Sequence, residues 1–198
     1  MSSSVDVLPD ESTRWNEWIV PLSVKDVTLR AILDSAAHMK AGQDDIPFVV
    51  QLFENPRFKM PFMKLFSGAA DINTHDCIHA LLGRGLLAKD EAFVIGFTMG
   101  STRRITHTAE MLFTLATKYL YPAPYKFNDD EIQIYKDALR LGYISNCQPL
   151  NRIDYTKYMD WEINRLRKKL GLERDLLKAY YHIENRRFPY DAASKRLL

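Results

Sequence analysis

Four potential metal ligands lie close together in the stretch HDCIHALLGRGLLAKDE, which runs from His75 to Glu91. His75 and His79 are four residues apart, so on a helix their imidazoles face the same point in space, and Asp76 lies on the adjoining edge of that arc. Apolar residues flank the arc, namely Ile72, Ile78 and Leu82. Imidazole and carboxylate are good ligands for zinc and for ferrous iron. The spacing therefore predicts a divalent metal site that is shielded from water.

Glu91 lies near the start of the next predicted helix, which is expected to run from Asp90 to Tyr119. At 100° per residue, the face that carries Glu91 is an apolar strip with two hydroxyls, so its carboxylate is expected to point inward. The other members of that strip are Val94, Ile95, Thr98, Thr102, Ile105, Ala109 and Phe113. His107 falls on the far side and is expected at the surface or in a subunit contact, and Cys77 is expected to be a packing residue. The predicted metal ligands are thus His75, Asp76, His79 and Glu91, with zinc preferred over iron.

Helix signals recur along the chain, and no segment shows the two-residue alternation of a strand with turn signals on both sides. We therefore predict an all-α fold, a single-domain bundle of about seven to eight helices over residues 15–185. Residues 1–14 are expected to be a mobile N-terminus and residues 186–198 a C-terminal tail. Because a disordered tail does not usually hold two tryptophans, Trp15 and Trp18 are expected to dock on the body or on another subunit.

Composition excludes some partners and compartments. A net charge of +2 is too small for a nucleic-acid-binding face. Two cysteines without a CxxC pair, and no secretory signal, indicate a reducing, intracellular compartment. No apolar run approaches the roughly 20 residues of a membrane span, so any membrane contact is expected to be peripheral. The expected location is the cytoplasm or the inner face of a membrane.

Two further segments suggest close packing or ligand contact. The stretch PRFKMPFMKLFSG combines methionine and phenylalanine, which together make an adaptable apolar wall. Plain core packing is favoured for it over a wall for a hydrophobic ligand. Gly96 and Gly100, four residues apart on the face away from Glu91, permit close approach of another helix and give weak support to a dimer.

The metal motif resembles a known signature. His75, Asp76, two residues, His79, eleven residues and Glu91 match the HDxxH-x11-E pattern of the coenzyme Q (ubiquinone) biosynthesis protein four family. The stretch HDCIHALLG and the later pairs Trp161-Glu162, Leu166-Arg167 and Leu170-Gly171 also resemble that family. The resemblance covers roughly residues 45–175. Asp90 stands where the family pattern has glycine, which leaves open a divergent relative with a different substrate.

This resemblance implies a function in quinone biosynthesis. It implies an all-α homodimer that binds a divalent metal through His75, Asp76, His79 and Glu91. It also implies peripheral membrane association, contact with other quinone-biosynthesis proteins, and a role in oxidative decarboxylation of a polyprenylated aromatic ring, a lyase-type activity. The candidate residues for a pocket that holds the isoprenoid tail are Met60, Phe62, Met63, Phe66, Ile95, Thr98 and Thr102.

Two other classes of function compete with this expectation. In the first, the protein is a non-enzymatic scaffold or lipid carrier and the metal is structural, because a site with four protein ligands has no open coordination position. In the second, it is a metal-dependent hydrolase of the HD phosphohydrolase type. That type needs a further upstream histidine and a downstream aspartate at fixed places, for which the chain offers only His38 and scattered carboxylates.

Overall fold

A computed structural model of the protein describes residues 8–9, 13–37, 72–120 and 126–197. Within these ranges the chain forms eight α-helices and no β-sheet, so the predicted all-α fold is confirmed. The helices are α1 (Leu29–Ala37), α2 (Ile72–Leu82), α3 (Ala88–Ser101), α4 (His107–Leu115), α5 (Asp129–Ile144), α6 (Ile163–Lys169), α7 (Arg174–Arg187) and α8 (Ala192–Lys195). A π-helical turn, Ala116–Leu120, follows α4 directly. None of the helices in this described part is long and apolar enough to cross a bilayer.

Helix α3 is the centre of the fold. Every one of its residues except the first is buried, and it packs along α5 more extensively than any other described pair of helices does. Two glycines permit this approach: a Cβ on Gly96 would lie 2.3 Å from the carbonyl oxygen of Tyr135, and one on Gly100 would lie 2.1 Å from that of Leu139. The glycine pair is therefore used within the chain and gives no support to a dimer.

The prediction of one continuous helix from Asp90 to Tyr119 is wrong. Helix α3 ends at Ser101, and Arg103 adopts a left-handed backbone conformation with φ of 52° before α4 begins. The guanidinium of Arg103 donates to the carbonyl oxygens of Tyr143 and Ser145, at the C-terminal end of α5. A cation is favourable at that negative end of the helix dipole, so this contact stabilises the turn. Residues 105, 109 and 113 consequently do not continue the helical face of Glu91.

The break Gly83-Arg84-Gly85 in the sequence predicts a helix end, and helix α2 does end there, at Leu82. Gly83 has φ of 71°. The N–H of Arg84 donates to the carbonyl of His79 over 3.0 Å, and the N–H of Gly83 donates to that of Ala80 over 3.3 Å. This is the Schellman arrangement, in which a left-handed residue satisfies carbonyls that the helix leaves free. The turn sends the chain back toward α3.

Two distant side chains complete the end of α2. Arg167, fully buried on α6, donates to the carbonyl oxygens of Ala80 over 2.8 Å and of Leu81 over 2.9 Å. The hydroxyl of Tyr181 on α7 donates to the carbonyl of Leu82. The last four carbonyls of α2 thus all have partners, which buried helix ends require. The same guanidinium also donates to the carbonyl oxygens of Leu22 and Val24.

In the sequence, Pro149 and Asn151 precede apolar residues that predict one further helix, but the structure interrupts it. The structure has two short 3₁₀ turns, Leu150–Arg152 and Tyr155–Tyr158, and only then α6. The backbone just before α6 pairs instead with the start of α1: the N–H of Leu29 donates to the carbonyl of Trp161 over 3.0 Å, and that of Arg30 to the carbonyl of Met159 over 2.8 Å. Hydrogen-bond partners more than a hundred residues away in the sequence therefore determine the conformation of this segment.

Both ends of the described chain pack on the body. Trp18 is buried and its indole N–H donates to Ser35 Oγ over 3.2 Å, which confirms the expected docking for this tryptophan. Trp15 is half-buried. In the segment predicted as a tail, α7 continues to its end and α8 follows, and Leu197 is buried in the core. The predicted short helix from Asp44 and the predicted apolar wall lie outside the described residues.

Replacing Gly100 by alanine tests the close packing of α3 on α5. The added methyl group would collide with the carbonyl of Leu139, and such overpacking costs about 1–3 kcal/mol, which outweighs the gain of roughly 1 kcal/mol in helix propensity. We expect a lower urea midpoint for Gly100→Ala. Gln133→Ala, at an exposed position of α5, is the control and should change stability by less than about 0.5 kcal/mol. Equal midpoints for the two variants would contradict the packing described.

Candidate metal centre

Three side chains from two helices converge on one point. His75 and His79 lie on α2, and Glu91 lies in the first turn of α3. The two Nε2 atoms are 2.7 Å apart, Glu91 Oε2 lies 3.2 Å from Nε2 of His75, and Glu91 Oε1 lies 3.3 Å from Nε2 of His79. One potential ligand atom from each of the three lies within 4.8 Å of the others. The structure thus brings together three of the four ligands predicted from the sequence.

These three side chains are largely removed from water. The side chain of His79 is fully buried, and that of Glu91 is 2% exposed. His75 is the most exposed of the three, at 15% of its side chain. The open side of the cluster therefore lies at His75, where a molecule from solvent would approach.

A backbone carbonyl orients His79. Its Nδ1 lies 2.6 Å from the carbonyl oxygen of Gly85, a contact in which the nitrogen must donate because the oxygen can only accept. In the neutral imidazole Nε2 then carries the lone pair, and this atom lies 2.7 Å from Nε2 of His75 and 3.3 Å from Oε1 of Glu91. Histidines that bind metals are commonly held in this way by their second ring nitrogen. The turn after α2 therefore sets the tautomer of His79 as well as the direction of the chain.

The donor set fits a divalent cation. Glu91 Oε1 is buried and makes no hydrogen bond, although a carboxylate oxygen in such a place normally has a partner. It lies 3.3 Å from Nε2 of His79, the nitrogen that carries the electron pair in this tautomer of the neutral ring. Two imidazole nitrogens and one carboxylate form the three-ligand set of many zinc enzymes and of ferrous oxygenases, both of which keep coordination positions open.

Asp76 is not a member of this cluster. The group of converging ligand atoms in the described part of the chain contains His75, His79 and Glu91 alone. The charge of Asp76 still acts on the centre, since it is among the influences that raise the pKa of His79. Asp76 therefore lies near the centre, while the converging group has three members rather than four.

Other residues singled out in the sequence have clear positions. Cys77 is fully buried, as expected for a packing residue, and His107 is 92% exposed beside Glu110, as expected for a surface residue. Of the candidates for a lipid pocket, Ile95 and Thr98 are buried on α3. The hydroxyl of Thr102 donates to the carbonyl of Met99 over 2.7 Å, whereas Thr98 Oγ1 is buried without a hydrogen bond. Met60, Phe62, Met63 and Phe66 lie outside the described residues.

Sequence reasoning missed the role of Asp90, the neighbour of Glu91. Its carboxylate is fully buried, accepts from the N–H of Leu87 over 3.1 Å and pairs with Arg196 over 2.5 Å. An acid at the third position of a helix commonly caps the free N–H groups there. The available signal was the adjacent pair Asp90-Glu91 itself, because two neighbouring buried carboxylates require cations nearby.

A buried arginine on the connecting turn was missed as well. Arg84 lies between the rings of Phe93 and Tyr181, with its guanidinium carbon 3.9 and 4.3 Å from the ring centroids. It donates to both carboxylate oxygens of Glu184, over 2.9 and 2.5 Å. Only the adjacent glycines marked this segment in the sequence, and they indicate a turn without indicating an ion pair. Arg84 ties the turn between the ligand helices to α7.

Glu91 and His79 shift each other's pKa. Burial on its own would raise the pKa of the Glu91 carboxyl, but the imidazoles of His79 and His75 lower it to about 2. Burial on its own would lower the pKa of His79, but the charge of Glu91 raises it. Each of these two groups therefore favours the charged form of the other. Because a metal ion binds the neutral imidazole, bound metal and a proton on Nε2 of His79 would exclude each other.

Comparisons with protein families, with curated proteins and with solved structures found no match. The resemblance to the coenzyme Q biosynthesis protein four family is therefore carried by the motif residues. Independently of that resemblance, the three converging side chains could hold a metal ion.

The stability of the metal-free protein should depend on these two ionisations. The pKa of Glu91 is depressed from 4.5, so its contribution is present above that pH and is lost as the pH falls toward 2. The pKa of His79 is raised above 6.5, so its contribution is present below that pH and is lost as the pH rises through the raised value. We expect urea midpoints measured with a chelator to fall as the pH rises above 6.5.

His79→Gln should remove most of that decline, whereas His107→Gln, at an exposed position, should leave it unchanged. Added zinc should reverse the trend, because deprotonated imidazole binds the ion better. A midpoint of the metal-free wild type that rises from pH 6.5 to 9 would contradict the assignment.

Proposed function

We propose that the protein binds one divalent metal ion through Nε2 of His75, Nε2 of His79 and the carboxylate of Glu91. The observation that carries this proposal is the buried Oε1 of Glu91, which makes no hydrogen bond and lies 3.3 Å from a ring nitrogen of His79. A bound cation would supply the partner that this oxygen lacks. Because only three side chains converge, a coordination position would stay open for a substrate or water. Zinc is the first candidate, and iron is the second.

The residues around the ion would prepare it for chemistry. When bound, the metal would supply Lewis acidity or, if it is iron, redox chemistry. Gly85 would keep His79 in the tautomer that binds, and Glu91 would offset part of the positive charge. Burial would restrict the entry of water to the side of His75, which is the most exposed of the three side chains. The arrangement suits the recognition of an anionic or oxygen-rich group, since such groups bind readily to an open position on a hard cation.

For the substrate we propose a polyprenylated aromatic precursor of a quinone. Support comes from the match of His75, Asp76, His79 and Glu91 to the spacing of the coenzyme Q biosynthesis protein four family. The ion that His75, His79 and Glu91 would hold would supply Lewis acidity or redox chemistry toward a ring carboxylate. The activity would be a lyase-type oxidative decarboxylation in which dioxygen is the oxidant, the carboxylate leaves as CO2 and the ring carbon takes an oxygen in its place. The isoprenoid tail would run along α3 behind Glu91, past Ile95 and Thr98. A homodimer, a peripheral membrane position and contacts with other quinone-biosynthesis proteins belong to the same proposal.

A second candidate is a scaffold or lipid carrier with a structural metal. The observation in its favour is the deep burial of His79 and Glu91 at the junction of α2 and α3, where an ion would join the two helices. Structural ions of this kind contribute directly to folding, so their removal unfolds the domain. A catalytic or substrate-binding ion would leave the apo protein folded. Circular dichroism after chelation therefore separates the two candidates.

Native mass spectrometry of freshly purified protein tests the metal and the lipid together. We expect one divalent metal ion per chain in the wild type, and a prenylated aromatic lipid in the same spectrum. His79→Ala and Glu91→Ala should each lower metal affinity by more than about 100-fold, which exceeds the usual cost of losing an outer-sphere contact. Asp76→Ala should retain the ion, because Asp76 lies outside the converging group.

His107→Ala is the matched control, since it removes an exposed imidazole that is not part of the cluster. Equal metal content in the wild type and in His79→Ala would refute the metal site. Metal binding without any co-purified lipid, and without turnover of a purified prenylated precursor, would favour the scaffold candidate over the enzyme.

A further inference from the structure

We propose that Arg196 is a positioning residue of the metal centre, which it supports through Asp90 and Gly85 without contacting the ion. The inference rests on the proposed metal site. It assigns a role to the segment that follows α8, a part of the chain that the motif spacing does not include. Arg196 would hold two of the three ligands, His79 and Glu91, in their relative positions, while His75 would be independent of it.

Arg196 joins three separate parts of the chain. Its Nη2 donates to Asp90 Oδ2 over 2.5 Å, and its Nη1 donates to the carbonyl oxygen of Asn16 over 2.7 Å. A Cβ placed on Gly85 would lie 2.1 Å from Nη2 and 2.5 Å from the carbonyl oxygen of Trp18, so the guanidinium lies directly against the backbone of Gly85. Only 18% of the Arg196 side chain is exposed. One planar group therefore fixes the N-terminal segment, the turn after α2 and the start of α3.

Arg196 would act on Glu91 through the neighbouring residue, Asp90. The Asp90 carboxylate caps the start of α3 by accepting from the N–H of Leu87 over 3.1 Å. The same carboxylate is the partner of Arg196, so the first turn of α3 is held from inside by its cap and from outside by the guanidinium. Glu91 is the next residue in that turn. A shift of the turn by less than 1 Å would change the distance from its carboxylate to both imidazoles.

The path to His79 runs through Gly85. The carbonyl oxygen of Gly85 accepts from Nδ1 of His79 over 2.6 Å and so fixes the ring and its tautomer. Arg196 packs on one side of Gly85 and the carbonyl of Trp18 on another, which leaves no room for a side chain. Such outer contacts commonly contribute 10–100-fold to the metal affinity of a site. Arg196 would hold the carbonyl in place in this manner.

The contacts between Arg196 and Asp90 fit a role in positioning the ligands better than a role in stabilising the fold. Asp90 Oδ1 and Arg196 Nε are both buried without a hydrogen bond, and Asp90 Oδ1 is 3.7 Å from Nη1 of Arg84. Incompletely satisfied buried ion pairs are weak sources of stability and are often replaced by apolar residues at no loss. Arg196 and Arg84 do balance the charges of Asp90 and Glu184, so the carboxylate beside Glu91 is neutralised by the protein. The carboxylate of Glu91 then keeps its charge for the cation at the centre.

Cobalt(II) is the probe for this role, because its visible absorption reports the number and geometry of its ligands. The variants are Arg196→Ala, Arg196→Lys and the control Arg187→Ala. Arg187 also donates to a carboxylate, that of Asp137 over 2.8 Å, and this ion pair lies on α5, away from the turn and α3. Affinity for zinc(II) and cobalt(II) is measured by competition with a chromophoric chelator, and folding is followed by circular dichroism.

We expect Arg196→Ala to bind both ions about 10–100-fold more weakly, in the range typical of lost outer contacts, with a changed cobalt spectrum. Arg196→Lys keeps the charge but offers one donating nitrogen in place of Nη1 and Nη2. The affinity of this variant for the two ions should therefore lie between those of the wild type and Arg196→Ala. Arg187→Ala should match the wild type in affinity and spectrum. If Arg196→Ala fails to fold, Arg196→Lys carries the test with the same two measurements.

Wild-type affinity and spectrum in both Arg196 variants would overturn the inference while leaving the metal site intact. An equal loss of affinity in Arg187→Ala would also overturn it, because the effect would then be one of general stability. Absence of metal binding in the wild type would instead refute the proposed metal site itself, and this inference would fall with it.

Discussion

The buried carboxylate of Glu91 is the constraint on which the rest of the structure depends. A carboxylate removed from water is costly unless other groups replace its hydration. In this protein the replacement comes from two imidazoles on a neighbouring helix, His75 and His79, and one carboxylate oxygen is still left without a hydrogen bond. Helices α2 and α3 therefore cannot shift within the core without leaving this charge buried and less well paired. A divalent cation would resolve that imbalance, and three ligands would still leave the ion accessible to a further ligand.

The short turn between the two ligand helices carries much of the remaining organisation. Gly83 ends α2 and reverses the chain, the carbonyl of Gly85 orients an imidazole, and the carboxylate of Asp90 caps α3. Segments far away in the sequence hold this turn from outside. Arg167 donates hydrogen bonds to the last carbonyl oxygens of α2, and Arg196 pairs with the carboxylate of Asp90 at the start of α3. Two arginines, Arg167 fully buried and Arg196 half-buried, thus hold the segments that carry the candidate ligands.

Much of the site could be predicted from the sequence because its signals are local. Four-residue spacing aligned the two histidines, and Gly83 stopped the helix where it was expected to stop. Asn128 and Glu131, three residues apart, predict a capping box, and they form one at the start of α5. The break after Ser101 could not be predicted, because it depends on contacts of Arg103 with the end of α5. Helical spacing places Asp76 beside the two histidines on one arc, and spacing alone could not show that its carboxylate lies outside the converging group. Asp76 was therefore included among the predicted ligands. The contacts of Asp90 with Arg196 connect residues too distant for any local pattern to reveal.

X-ray absorption spectroscopy of the zinc-loaded protein tests the central claim most directly, because it counts the atoms around the ion and identifies imidazole by its outer scattering. The claim predicts a shell of nitrogen and oxygen at about 2.0–2.1 Å with two imidazoles per zinc, and one or more oxygens from Glu91 and from water. The outer scattering of one imidazole should disappear in His79→Ala. A shell that contains sulfur at about 2.3 Å, or one that has no imidazole scattering, would contradict a centre built from His75, His79 and Glu91.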